Sequence, residues 1–349
     1  MNIEALVRDN IRRLRPYRTA RQDSKTGILL DANENRFGSV WQDGTDQLNQ
    51  YPDPFQRELR ERLAHLEGTS PSSVFTGVGS DEVIDLLLRV FCEPRRDHIL
   101  IIEPTYGMYA VSASIQDVVA DNVQLDESFH LDLPATRSAI RPSTKLVFCC
   151  SPNNPTGNLL RRDDIRALCA LTTSLVIVDE AYIDFARTRS LATDVHDTPN
   201  MVIVKTLSKS WGLAGIRLGY CVAHPDVVSY LDKVKPPYNI NSLTGRVALA
   251  AVANSARRDE LVASIVGERH RLEQELPRYS FIERVYPSDS NFLLLRCSDH
   301  RPVLTYLRKR GIVVRDRSSQ PGLERCLRIT VGTVEENTLL LSALRDMET

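Results

Sequence analysis

From about residue 74 to residue 225, short β-branched apolar runs alternate with stretches of helical periodicity, and this alternation limits the possible folds more than any other feature. Residues 99–102, 146–150, 175–178 and 201–204 are apolar at every position and too short for stable helices. A strand reads this way when both of its faces are buried, as in a parallel sheet covered by helices on each side. The expected fold class is therefore α/β with a mainly parallel sheet. Polar groups follow several of these runs directly, and open parallel sheets bind ligands at that carboxyl edge.

One such group is Lys209, in Thr206-Leu207-Ser208-Lys209-Ser210-Trp211-Gly212, with Arg217 eight residues further on. An amine in a dry pocket or beside other cations loses its proton more readily and becomes a nucleophile able to form a Schiff base. Ser208 and Arg217 offer a hydroxyl and a guanidinium fork that suit a phosphate. A surface lysine in a Gly/Ser loop explains the same residues equally well, so the neighbouring motifs decide. Ser151-Pro152-Asn153-Asn154-Pro155-Thr156-Gly157 is a rigid turn after one apolar run. Asp179-Glu180-Ala181-Tyr182 follows another, and by itself would read as a helix cap.

Taken together, an amide, an acid and a lysine each stand at the carboxyl end of an apolar run. A pyridoxal 5'-phosphate site needs these parts: a lysine for the cofactor's aldehyde, a carboxylate to keep the pyridine nitrogen protonated, and donors for the ring oxygen. In that arrangement Lys209 is the covalent anchor, Asp179 holds the ring proton, and Asn154 and Tyr182 bond the ring oxygen.

The three motifs resemble the fold type I pyridoxal-phosphate aminotransferases, whose pattern is Asn-Pro-Thr-Gly, then Asp-Glu-Ala-Tyr, then Ser-Lys with a downstream arginine. The resemblance implies an α/β fold with a large domain, residues 45–250, built on a mainly parallel seven-stranded sheet. It also implies a smaller α+β domain assembled from both chain ends, residues 1–44 and 251–349. The residues themselves predict a long charged helix over 255–276 and strands at 291–296, 312–315 and 326–331 in that second unit. Catalysis is implied for Lys209, Asp179 and Tyr182. Gly79-Ser80-Asp81-Glu82 precedes a helical stretch at 83–91, and Ser80 as an N-cap with acids in the first turn explains it as well as an anion site does. The resemblance implies that Gly79, Ser80, Asp81 and Glu82 hold the cofactor phosphate and that Tyr106, beyond the run at 99–102, stacks on its ring.

Leu30-Asp31-Ala32-Asn33-Glu34-Asn35, Gln50-Tyr51-Pro52-Asp53-Pro54, Gly311-Ile312-Val313-Val314-Arg315-Asp316 and Leu327-Arg328-Ile329-Thr330-Val331-Gly332-Thr333 are similar to the histidinol-phosphate aminotransferase branch of that family. That similarity implies transfer of an amino group from L-histidinol phosphate to 2-oxoglutarate, a step of histidine biosynthesis. It places Tyr17, Asn33, Arg315 and Arg328 on the substrate, with both arginines taking its phosphate or the carboxylate of the second substrate. Tyr51 is implied to reach the cofactor phosphate of the neighbouring subunit in a homodimer; its own residues read as a stiff exposed turn. Independently, an arginine inside an apolar strand, as Arg328 is, needs an anion or a salt bridge. Arg36 stands where that branch usually has proline, which bears on the local turn. An aromatic amino-acid aminotransferase or a decarboxylase of an amino-acid phosphate would share almost every cofactor residue. A regulatory module that only binds the cofactor is the non-catalytic alternative, and it lacks the basic stripe a DNA-binding regulator carries.

At 349 residues with a formal net charge of -1, the chain has room for two domains and no electrostatic footprint for nucleic acid or membrane. No run approaches the roughly 18 apolar residues of a spanning helix. Seven cysteines without paired spacing read as buried thiols in a reducing compartment, hence the cytoplasm, and neither they nor the scattered histidines suggest a metal.

Overall fold

The computed structural model describes residues 2–23, 28–41 and 48–348. Seven strands form one sheet: β1 (Val74–Val78), β2 (His98–Glu103), β3 (Val119–Gln124), β4 (Thr144–Cys150), β5 (Leu175–Asp179), β6 (Met201–Thr206) and β7 (Leu218–Val222). Their spatial order is β1-β7-β6-β5-β4-β2-β3, and only β7 runs against its neighbours. The mainly parallel sheet expected from the apolar runs is therefore present, with the seven strands that the resemblance implied. Alternate residues of its strands enter two separate cores. Leu146, Phe148, Leu175, Ile177, Val202 and Val204 pack on one face with the helices Gly79–Phe91, Met108–Ile115 and Pro225–Val234. Val147, Cys149, Val176, Val178, Met201 and Ile203 pack on the other, under the helices Arg57–Glu67, Arg162–Leu171 and Ser242–Val252. This double cover is why the runs lack polar alternation.

A second, antiparallel sheet contains β8 (Ile282–Val285), β9 (Phe292–Cys297), β10 (Arg315–Asp316) and β11 (Cys326–Thr330), in the order β10-β11-β9-β8. One face carries Leu293, Leu295, Leu327 and Ile329 into a core closed by the helices Ser255–Glu275, His300–Lys309 and Val334–Glu348. Two details depart from expectation. The strand predicted at 312–315 shrinks to Arg315–Asp316, because Gly311, at φ 76°, ends the preceding helix and the Ile312 N–H donates back to the Leu307 carbonyl at 3.0 Å. β8 was not foreseen, since Glu283 and Arg284 face solvent from an edge strand and hide its apolar signal.

The chain ends do not divide as the resemblance implied. Ile3, Val7 and Ile11 recur at helical spacing and are buried in the first core of the large sheet, and the Arg8 N–H donates to the Val90 carbonyl at 3.0 Å. They do not join the four-stranded sheet. Near the other expected boundary, residue 250, the helix Ser242–Val252 still packs on the large sheet through Ala248 and Val252. The boundary at 44/45 lies outside the described residues.

Candidate active site

Cys150, Asp179 and Thr206 are the last residues of β4, β5 and β6, and strand alternation turns all three toward the same face. They form the floor of a cavity of about 140 Å³ at the carboxyl edge of the sheet. Gly79, Ser80, Asp81, Tyr106, Asn154, Tyr182, Ser208, Lys209 and Arg217 complete its walls, so ten of the positions singled out in the sequence converge here, Asp179 included. Residues adjacent to these in the chain, Glu180 after Asp179 and Lys205 before Thr206, alternate to the opposite face.

Asp179 is buried, and burial raises its pKa against the pull of two donors. The Tyr109 hydroxyl donates to Oδ2 at 2.7 Å and the Ala181 N–H to Oδ1 at 3.1 Å. Tyr109 is itself fully buried, stacked on Phe148 with ring centroids 4.7 Å apart. Lys209 keeps a solvent-exposed surface at the cavity mouth, while its Nζ stands 5.6 Å from the centre of the Tyr182 ring. Burial of that amine, and then the charge of Arg328, lower its pKa; Asp179 and Asp81 oppose the shift. Arg328 projects from β11 and donates from Nη1 to Asn154 Oδ1, with its guanidinium 5.1 Å from the Phe292 ring centre. Burial pushes the Tyr182 hydroxyl's pKa up, keeping it a neutral donor.

The helix Gly79–Phe91 begins two residues earlier than the N-cap reading required, with Val78 rather than Ser80 at the cap. Ser80 and Asp81 thus place their backbone amides in the first turn, where N–H groups lack helical acceptors. Two glycines allow this approach. Gly79 has φ 72°, and a Cβ there would lie 2.9 Å from Arg217 Nη2; a Cβ on Gly219 would lie 2.2 Å from the Ser80 nitrogen. Arg217, itself left-handed at φ 54°, accepts the Gly79 N–H at 2.8 Å and sits 3.4 Å from Asp81, whose other oxygen takes the Tyr106 hydroxyl at 3.2 Å.

Six expected positions do not line this cavity, one of them being Arg328, which meets it only through Asn154. Glu82 turns away, accepting the Val78 N–H at 2.6 Å and Asn239 Nδ2 at 2.9 Å, so it braces the turn before the helix. Tyr17 lines a larger concavity, about 770 Å³, between residues 14–18 and the helix Pro225–Val234. That space is bigger and includes Tyr17, Asp232 and Lys233, but Asp232 is paired with Arg60, Lys233 donates to the Arg12 carbonyl and Tyr17 is exposed, so size does not locate the chemistry. Asn33 is exposed in a left-handed turn at φ 55°. Tyr51 stacks on Tyr238, centroids 4.5 Å apart, and gives its N–H to Glu34 Oε1 at 2.8 Å. Glu34 also pairs with the buried Arg21 and lies 3.5 Å from Arg36, so the unusual arginine joins this network. Arg315 is exposed beside Arg328 on the neighbouring strand.

Sequence reasoning assigned no role to Tyr109 or Asn153. Asn153 ties two strand-end loops together: Nδ2 donates to the Pro104 carbonyl and to Thr156 Oγ1, both at 2.8 Å, and Oδ1 accepts from Thr105 at 2.9 Å. With Asn153 held this way, Asn154 faces the cavity.

The aminotransferase class I and II family model matches residues 25–344. The chain belongs to that family. This aminotransferase is 46% identical over 346 residues to the histidinol-phosphate aminotransferase of Cytophaga hutchinsonii, covering 99% of both chains. Its fold matches the crystal structure of the histidinol-phosphate aminotransferase from Clostridium acetobutylicum with a TM-score of 0.80, at 26% identity over 86% of this chain and 91% of that one. The enzyme of the same description from Sinorhizobium meliloti, solved in complex with pyridoxal-5'-phosphate, matches in fold with a TM-score of 0.79 at 24% identity, over 85% and 83% of the two chains.

Proposed function

We propose that this aminotransferase transfers the amino group of L-histidinol phosphate to 2-oxoglutarate, with pyridoxal 5'-phosphate as cofactor, giving imidazole acetol phosphate and glutamate. The observation that carries the proposal is a lysine amine of lowered pKa sharing one cavity with a buried, doubly hydrogen-bonded carboxylate. Full-length similarity to relatives of that activity supports the choice of donor.

The residues fit the cofactor. Ser80 and Asp81 amides, Ser208 and Arg217 form a phosphate-binding set; Asp179, Asn154, Tyr182 and Tyr106 form a ring-binding set; both line the cavity that Lys209 enters. When bound, the cofactor supplies an electron sink for the carbanion left at the substrate carbon. Asp179 provides the fixed anion opposite the ring nitrogen, with Tyr109 and Ala181 holding its two oxygens. Lys209 Nζ is the anchor and then the base that lifts the proton from the substrate carbon and returns it on the other side of the transfer. The depressed pKa leaves a larger share of the amine unprotonated for that step. Tyr182 and Asn154 are donors toward the ring oxygen, and Arg328 and Arg315 take the donor's phosphate or the carboxylate of 2-oxoglutarate.

A homodimer belongs to the proposal, with Tyr51 reaching the partner's site and Tyr17 and Asn33 reaching substrate in the assembled pair. Exposed apolar residues support it: Tyr17, Leu30, Phe37, Val40 and Trp41 each keep more than 60% of their surface on the single chain. A two-domain division near residues 45–250 is likewise proposed, with residues 3–11 moved to the large body. The seven buried, unpaired cysteines suit the cytoplasm.

Purified protein assayed with histidinol phosphate, phenylalanine and phosphothreonine, each with 2-oxoglutarate, tests the donor. The highest kcat/KM is expected with histidinol phosphate; release of carbon dioxide from phosphothreonine would replace the proposal with a decarboxylase. Lys209→Ala is expected to abolish multiple turnover, and a variant that still cycles would refute the role given to the amine.

A further inference from the structure

Arg317 lies two residues beyond Arg315 and was not singled out by any motif. Its N–H donates to the Cys326 carbonyl at 3.0 Å, continuing the pairing in which Arg315 stands opposite Arg328. Strand alternation therefore puts Arg315, Arg317 and Arg328 on one face of the small sheet. Leu327 and Ile329 occupy the other face, in the helix-covered core. The arginine face is the one directed at the large sheet, because Arg328 reaches Asn154 on the cavity wall. The loop that carries Arg317 is tethered to the same edge: Gln320 Nε2 donates to the Thr105 carbonyl at 3.2 Å, next to Tyr106.

Arg317 Nε is shielded from solvent and has no hydrogen-bond partner, and among the described residues no carboxylate lies within ion-pair distance of the guanidinium. Its neighbour Asp316 faces the other way, toward His300 at 3.5 Å and the Ser318 N–H at 2.8 Å. A buried guanidinium donor without an acceptor is costly unless an anion completes it. Burial, followed by the charges of Arg328 and Arg315, brings the Arg317 pKa down to about 10. Three cations on one face exceed the single charge of a carboxylate and suit a phosphate monoester, which carries about -1.5 to -2 at neutral pH.

We propose that Arg317 is a third guanidinium in the donor phosphate site and a determinant of preference for phosphorylated donors. The proposal rests on the function proposed above and deepens it, by assigning to one residue the discrimination between histidinol phosphate and histidinol. The phosphate would accept from Arg317 Nε and from Arg328 or Arg315, leaving the reacting amine at the cofactor end of the cavity.

The test compares wild-type holoenzyme with Arg317→Gln and Arg317→Lys on histidinol phosphate and on histidinol, and measures inhibition of histidinol turnover by inorganic phosphate. Loss of one charged hydrogen-bonding group should lower kcat/KM for histidinol phosphate roughly 10- to 100-fold. Histidinol turnover should stay within about twofold of wild type, inorganic phosphate should inhibit more weakly, and Arg317→Lys should recover part of the loss. Equal losses on both donors, or no loss on histidinol phosphate with undiminished phosphate inhibition, would overturn the assignment while leaving the donor reading standing. A wild-type holoenzyme inert toward histidinol phosphate would overturn both.

Discussion

Glu180 offers a measurement of how much the sheet's second face contributes to stability. It follows Asp179 directly but lies on the opposite face, 3% exposed, with Oε1 accepting the Leu191 N–H at 2.8 Å and Oε2 accepting the Ser190 hydroxyl. Lys205 is close by, and its ammonium donates to Glu67 Oε1 at 2.7 Å. Burial drives the Glu180 pKa up to about 7 from an ordinary 4.5, against the pull of Lys205, Ser190 and the Leu191 amide. Because the folded state then holds the proton more tightly than the unfolded chain, this group's stabilising contribution is full below about pH 4.5 and is lost as pH rises through 7. A gap of about 2.5 units at about 1.36 kcal/mol per unit is worth on the order of 3 kcal/mol. Glu180→Gln keeps the acceptor for Leu191 and stays neutral at every pH. Denaturant unfolding of wild-type and variant holoprotein from pH 5 to pH 8.5 should therefore show the wild type losing ground to the variant by up to roughly 3 kcal/mol across that interval. Parallel curves, or a wild type that gains on the variant as pH rises, would refute the reasoning.

Two further perturbations probe the cavity. In Gly219→Ala the new Cβ would meet backbone, 2.2 Å from the Ser80 nitrogen and 2.4 Å from the Gly79 carbonyl carbon, so the first helical turn must shift. Weaker cofactor retention on dialysis and a stability loss of about 1–3 kcal/mol are expected; undiminished retention would remove the helix start from the phosphate site. Tyr109→Phe deletes the hydroxyl on Asp179 Oδ2, a charged hydrogen bond of about 1.5–3 kcal/mol. The Asp179 pKa should rise further and kcat fall roughly tenfold or more, with the visible absorption of the bound cofactor changed; unchanged spectrum and rate would make Tyr109 a packing residue alone.

Much of the site was legible without coordinates because it is local to strand ends. A short β-branched run that is apolar throughout suits a doubly covered strand, and the groups that end it emerge at the sheet edge; Cys150, Asp179 and Thr206 follow that pattern, as do the turn carrying Asn154 and the loop carrying Lys209. Contacts between distant segments carry no such periodicity. The hydroxyl that holds Asp179 comes from Tyr109, 70 positions earlier, and Arg328 meets Asn154 across 174. Nothing local announced that Ile3, Val7 and Ile11 would pack on the large sheet, nor that Glu82 would turn from the cavity to Asn239. Chain order and hydrophobic period therefore determined the sheet, its working edge and the chemical groups along it. Which of those groups are neutralised, shielded or left without a counter-ion depended on segments brought together only by packing, since a charge's energy is set by its surroundings in space.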